Sequence, residues 1–350
     1  MKAGIVGFNG SGKTTIFNAL TGLRAETGPG GKARENTGII KVPDSRVAEL
    51  AVQHNSKKQV LAEVQFLDVA TPQTGRELGG GLPAQVLGAM QGCDALVVVL
   101  RGFANPNLEA PPQPSRELNN FRAELILSDL APLENRLERI KKEADKARER
   151  SLIEKCIAHL EAERPMYSLA LNSAETQTLS GFSMLTSKPM LLLLNQEEDD
   201  FAGGLPEDIS AAARGEGLEL MAISGKLEMD IAGLPPQEQQ EFLAAMDITA
   251  SARDRFVQRA YSLLELISFL TTGEDESRAW PIRQGTTALK AAGKIHSDIA
   301  RGFIRAETIA YEHLIALGSE KKARDAGKMR AEGKEYIVQD GDVINFRFNV

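Results

Sequence analysis

The clearest chemistry in this sequence sits near its amino end, in Gly7-Phe8-Asn9-Gly10-Ser11-Gly12-Lys13-Thr14. The stretch satisfies G-x-x-x-x-G-K-[ST], follows a strand-like run, Ala3–Val6, and opens a helix-like one, Thr15–Leu20. That context is what the pattern requires. Glycines let successive backbone N–H groups turn inward as an anion nest at the positive end of a helix. The residues expected to hold a nucleotide's phosphates are therefore Gly10, Ser11, Gly12, Lys13, Thr14 and Thr15. Lys13 can reach the β- and γ-phosphates, and the Thr14 hydroxyl can ligate Mg2+, so these two are the candidate catalytic residues. Asp68 ends the run Phe66-Leu67-Asp68. Alone it would read as a strand-end cap, but beside a phosphate loop it reads as a ligand to magnesium-bound water. Metal binding is thus assigned to Thr14 and Asp68.

Base recognition should come from later strands, because nucleotides sit beyond the carboxyl ends of such sheets. Met190–Leu194 leads into Asn195-Gln196-Glu197-Glu198. A guanine-reading N-K-x-D motif would place Lys and Asp where Gln196 and Glu198 stand. The Asp of that motif accepts two hydrogen bonds from guanine, an edge that the longer Glu198 fits less well. Asn195 and Glu198 are read as base-site residues, with an ordinary acidic loop as the alternative. Ser224, Gly225 and Leu227, after Glu219–Ile223, form a loop that could close over the base.

These residues need elements to hold them. Short apolar runs (Ala3–Val6, Ile39–Val42, Glu63–Val69, Ala95–Leu100, Met190–Leu194, Glu219–Ile223) alternate with helical stretches, which predicts an α/β fold with a mostly parallel sheet covered on both faces. Asn119–Arg164 is charged and keeps apolar residues at three/four spacing, from Leu130, Leu133, Leu137 and Ile140 to Leu152, Cys156 and Leu160. It predicts an antiparallel helical pair inserted into the α/β domain. Ile337–Val350 reads as two strands about Asp340-Gly341-Asp342, closing a small α+β module. The boundaries predicted are 1–118 and 188–277 for the nucleotide domain, 119–187 for the arm and 278–350 for the carboxy-terminal module.

The 350 residues, 42% hydrophobic and 25% charged, exclude wholesale disorder. No apolar run approaches the ~18 residues of a membrane span, and no charged-then-apolar leader precedes the first strand, so a soluble cytoplasmic protein is expected. Two cysteines exclude a disulfide framework, and four scattered histidines give no zinc site. The net charge of −7 is uneven: residues 278–350 carry 13 Lys and Arg against 9 Asp and Glu, and the rest 28 against 39. A basic end on an acidic body suits an anionic partner, or is merely a mixed solvated surface.

Taken together, the phosphate loop, Asn195–Glu198, the helical insertion and the carboxy-terminal module resemble, in order, the Obg-like ATPase (YchF) family. The most specific stretches are Ala292–Asp298, Arg301–Thr308 and Glu332–Asp342, which resemble the family's TGS domain, a β-grasp module. The resemblance implies a P-loop NTPase that prefers ATP to GTP and associates with ribosomes or RNA through the TGS domain and helical arm; a monomer is expected. The chain also departs from the family pattern. Asp68-Val69-Ala70 is followed by Thr71 and Pro72 where the family has a γ-phosphate-sensing glycine and an apolar residue. Lys32 falls where the family has a magnesium-holding switch threonine. The second switch keeps Gly75, Gly79, Gly81 and Leu82 without the family's lysines. No general base is evident, although Gln73 and Gln85 lie nearby. The expectation is a slow Mg2+-dependent ATPase; the alternative is a nucleotide-binding scaffold with little hydrolysis.

Overall fold

The structure is a computed structural model that describes residues 1–25, 35–69, 82–245 and 251–349. Lys32, Thr71, Pro72, Gln73, Gly75, Gly79 and Gly81, singled out above, lie outside the described residues. The strands are β1 (Lys2–Val6), β2 (Asn36–Lys41), β3 (Lys58–Val60), β4 (Glu63–Asp68), β5 (Ala95–Gly102), β6 (Met190–Gln196), β7 (Glu219–Ile223), β8 (Leu266–Thr271), β9 (Glu276–Arg283), β10 (Phe303–Ala310), β11 (Arg330–Glu332) and β12 (Asp342–Phe348). The helices that matter most here are α1 (Lys13–Thr21), α2 (Ser45–His54), α3 (Ala84–Gln91), α4 (Pro114–Ile140) and α5 (Ala147–Glu161).

One sheet has the order β2-β4-β1-β5-β6-β7. Its pairings β1–β4, β1–β5, β5–β6 and β6–β7 are all parallel. The central strands are continuous apolar runs because helices cover both faces. In β6, Leu191 to Leu194 are buried, each worth about 1.5–3 kcal/mol relative to exposure. A one-residue slip of β6 would carry Asn195, at its end, to the opposite face. Core packing therefore fixes a site residue.

The inserted segment forms α4 and α5, joined through 141–146. Leu133, Ile140, Leu152, Ile153, Cys156 and Leu160 make their shared core, which continues onto Met166, Leu179 and Met184. The segment after the helical pair is thus packed against it and is not a plain return to the sheet. Asp129, buried in α4, ties this region down: its carboxylate accepts the backbone N–H groups of Leu185 and Thr186 at 2.8 Å and the Thr186 hydroxyl at 2.6 Å.

The second sheet has the order β11-β10-β12-β8-β9-β3, mixed parallel and antiparallel. Its core includes Phe269, Ile282, Ala288, Ala292, Phe303, Ile344 and Phe346. Compactness divides the chain into Met1–Gly38 with Gln65–Arg253, and Ile39–Val64 with Asp254–Val350. The second unit so begins earlier than residue 278 and recruits α2 and β3 from the amino-terminal half. β3 pairs parallel with β9, and the Arg46 guanidinium bridges Asp44 and Asp340 at 2.8 Å.

Two local expectations need correction. Only one strand forms in Ile337–Val350; Ile337 makes an isolated bridge to Thr287. The Asp342 carboxylate instead accepts the Gln339 N–H and the Tyr336 hydroxyl, holding that stretch as a turn. In β12, the alternation of Ile344, Phe346 and Phe348 with polar residues predicts one buried face; Ile344 and Phe346 are buried, but Phe348 stands 42% exposed.

Candidate functional site

The phosphate loop lies between β1 and α1. Gly10 and Gly12 have φ of 77° and 87°, a region where L side chains are strained. Space forbids a side chain as well: a Cβ on Gly12 would run into the Asn195 amide, and one on Gly10 would lie 2.8 Å from Leu108 Cδ1. Inside the loop, Lys13 Nζ donates to the Phe8 carbonyl at 2.7 Å. Lys13 is only 6% exposed, and burial lowers its pKa to about 8 despite the nearby carboxylates of Asp68 and Glu117. A desolvated ammonium of this kind gains strongly from an arriving anion.

Thr14 and Asp68 meet as the sequence suggested. The Thr14 hydroxyl donates to Asp68 Oδ2 at 3.0 Å, which turns its lone pairs away from the carboxylate. The same oxygen accepts the Asn36 amide at 3.2 Å. Burial raises the pKa of Asp68, while Asn36, Thr14 and Lys13 oppose that shift. Asp68 Oδ1 is buried without a hydrogen-bond partner, as is Ser11 Oγ. An unpaired buried carboxylate oxygen is costly. Here it lies beside a hydroxyl with lone pairs to spare, so the donor set fits a hydrated divalent cation held by Thr14 and Asp68.

Asn195 occupies the end of β6. Its Nδ2 donates to the Ser11 carbonyl and its Oδ1 accepts the Gly225 N–H, both at 3.0 Å. It thereby joins the phosphate loop to the loop after β7. Ser224 is the N-cap of helix Gly225–Gly233, its hydroxyl accepting the Leu227 N–H at 3.3 Å. Those three residues sit together with Asn195. Glu198 begins a short turn, Glu198–Gly203, and is exposed, whereas Gln196 is buried with its Nε2 unpartnered. Gln85 lies exposed at the start of α3.

Sequence reasoning passed over a second cluster. Arg101 and Glu117 are both nearly fully buried, with Nε 3.5 Å from Oε1. Glu117 Oε2 also accepts the backbone N–H of Arg101 at 3.0 Å. Burial raises the Glu117 pKa against the pull of Arg101. The Arg101 Nη2 donates to the carbonyls of Ala110 and Pro111, each at 3.0 Å. A basic residue closing the apolar strand Leu96–Leu100 was the signal available, and no motif surrounds it.

Comparison with known proteins agrees with this layout. The family YchF-GTPase_C, described as a protein of unknown function (DUF933), matches residues 266–349. The "Ribosome-binding ATPase YchF" of Bacillus subtilis (strain 168) is 39% identical over 364 residues, covering all of both chains. Its namesake in Escherichia coli O157:H7 is 37% identical over 360 residues, covering 100% of this chain and 99% of the other. Among solved structures, the Schizosaccharomyces pombe YchF GTPase superposes with a TM-score of 0.89 at 28% identity, covering 99% of this chain and 97% of that one.

Proposed function

The chain belongs to the YchF family, and we propose that it binds ATP in preference to GTP and hydrolyses it slowly with Mg2+, its nucleotide state gating association with the ribosome or RNA. The observation that carries the reading is the group formed by Lys13, Thr14 and Asp68, with one buried Asp68 oxygen left unpaired. Thr14 and Asp68 would hold Mg2+, which when bound would supply positive charge against the negative charge developing in the transition state. The chain's own part is positioning and electrostatics. Lys13 supplies a cation already stripped of water, the loop amides supply fixed dipoles, and Asp68 orients the Thr14 hydroxyl. At the base, Glu198 replaces the aspartate that suits guanine, which supports adenine. The relatives named ribosome-binding ATPases support the ribosome as partner, and the TGS-like carboxy-terminal module and the helical arm are the parts proposed to contact it. No helix among the described residues is long and apolar enough to cross a membrane, and a cytoplasmic monomer is the form proposed.

A second reading, a nucleotide-binding scaffold with little hydrolysis, is favoured by the altered switch residues: Thr71 stands at the place of the family's γ-phosphate-sensing glycine, Pro72 follows it, and Lys32 stands at the place of the switch threonine. Calorimetric titration with ATP, GTP and non-hydrolysable analogues, followed by phosphate release on the same sample, separates the two. ATP binding with release supports the ATPase, binding without release supports the scaffold, and no binding refutes both.

A further inference from the structure

The segment between β5 and α4 does more than connect them. Arg101 gathers it from below, donating to the Phe103 carbonyl at 3.4 Å and to those of Ala110 and Pro111 at 3.0 Å, while Glu117 holds Arg101 in place. Within this framework Asn105 makes a tight local turn: its Oδ1 accepts the Asn107 N–H at 3.0 Å. That leaves the Asn105 Nδ2 aimed away, and it donates to the Gly10 carbonyl at 3.1 Å. Leu108 packs on the same glycine.

We infer that Asn105 is a positioning residue for the phosphate-binding loop, clamping the Gly10 carbonyl outward so that the next N–H faces the bound phosphate. A trans peptide points its C=O and its N–H in opposite directions. Asn195 holds the Ser11 carbonyl at 3.0 Å, which turns the Gly12 N–H the other way. Asn105 does the same to the preceding peptide, which turns the Ser11 N–H inward. The Ser11 N–H does point into the loop, where it reaches the Phe8 carbonyl at a long 3.4 Å, beside the Lys13 ammonium that contacts the same oxygen. So weak a bond is readily exchanged for one to a phosphate oxygen. Two asparagine amides, one from each side, thus pre-set two successive donors of the nest. A nest set beforehand need not be ordered when anion arrives, and that lowers the cost of binding.

This inference rests on the nucleotide-binding reading above, and the test separates the two. In the full-length protein, release of a fluorescent ADP is followed by stopped flow for wild type, Asn105→Ala and Asn105→Asp, with Lys13→Ala as the non-binding reference. Losing one neutral hydrogen bond of about 1 kcal/mol corresponds to about fivefold faster release for Asn105→Ala. Asn105→Asp keeps the shape but sets an acceptor against the Gly10 carbonyl, so release about tenfold faster or more is expected. Inorganic pyrophosphate, which has neither base nor sugar, should lose affinity by the same factor in competition. The melting temperature of the nucleotide-free protein reports the merely structural role. Release at the wild-type rate, with or without a lower melting temperature, overturns the inference. A loss seen with ADP but not with pyrophosphate overturns it too, by moving the effect to the base. If wild type and Lys13→Ala alike bind nothing, the nucleotide reading falls and takes this one with it.

Discussion

Lys13 allows the sharpest test, because its protonation should be coupled to the nucleotide. In the nucleotide-free protein burial holds its pKa at about 8 instead of the ordinary 10.5. A diphosphate beside it favours the charged form and moves the pKa back up. A group whose pKa is lower free than bound takes up protons on binding, so affinity is fully present below about 8 and is lost as pH rises above it. At pH 7 nearly all of Lys13 is charged and at pH 9 about a tenth of it is, so ADP should bind about tenfold more weakly at pH 9. At pH 8 binding should take up about half a proton. Calorimetry in two buffers of different ionisation enthalpy reads that number directly. A cation arriving at Asp68 and Thr14 would add its own charge beside Lys13, so the titration is run with ADP and no magnesium. Unfolding cannot imitate the result. The folded pKa of Lys13 lies below its unfolded value, so its contribution to the stability of the nucleotide-free protein grows as pH rises between them. Affinity that stays flat from pH 7 to 9, or proton uptake near zero at pH 8, would refute a buried, low-pKa lysine as the phosphate ligand.

How much of this was legible depends on the range of the interactions. The phosphate loop and β1, β5 and β6 are local patterns: a motif in its strand-to-helix context, and apolar runs with few competing structures. Asp68 could be paired with Thr14 because strand ends and a phosphate loop have a known mutual geometry. β3, Lys-Gln-Val, has no apolar pattern of its own and forms only because β9 offers it an edge far along the chain. That pairing, with Arg46 on Asp340, is why a linear boundary at residue 278 and the compact units disagree. β10 escaped detection because Arg305 and Glu307 interrupt its apolar residues and a bulge breaks its alternation. The clamp on Gly10 is hidden by range, as β3 is. Asn105 lies in a proline-rich loop, 95 residues from its partner, and nothing in the spacing couples them.

Lys13→Ala should abolish ATP binding in calorimetry, and unchanged affinity would displace the site. Glu198→Asp with Gln196→Lys should move the preference toward GTP; an unchanged ATP-to-GTP ratio would remove base reading from this loop. Asp129→Ala strands three donors at Leu185 and Thr186, so urea unfolding should show a loss of about 3–5 kcal/mol, and a loss under 1 would mean water replaces the carboxylate. The last prediction concerns RNA. Removing residues 278–350 would strip β9 to β12 from β8 and β3, so a charge change is the cleaner probe. Arg305 lies directly opposite Arg347 on the neighbouring strand, both about half exposed and both gathered on the largely buried Glu307. Like charges placed face to face cost stability, and one shared carboxylate leaves each guanidinium with donors to spare. Two phosphate contacts contribute about 1.5 to the slope of log affinity against log salt. Arg305→Gln with Arg347→Gln should lower that slope by about this much for a single-stranded RNA, leaving ADP binding untouched. An unchanged slope would place the nucleic-acid contact elsewhere, on the helical arm first, where Arg136–Lys155 carries eight basic residues against five acidic.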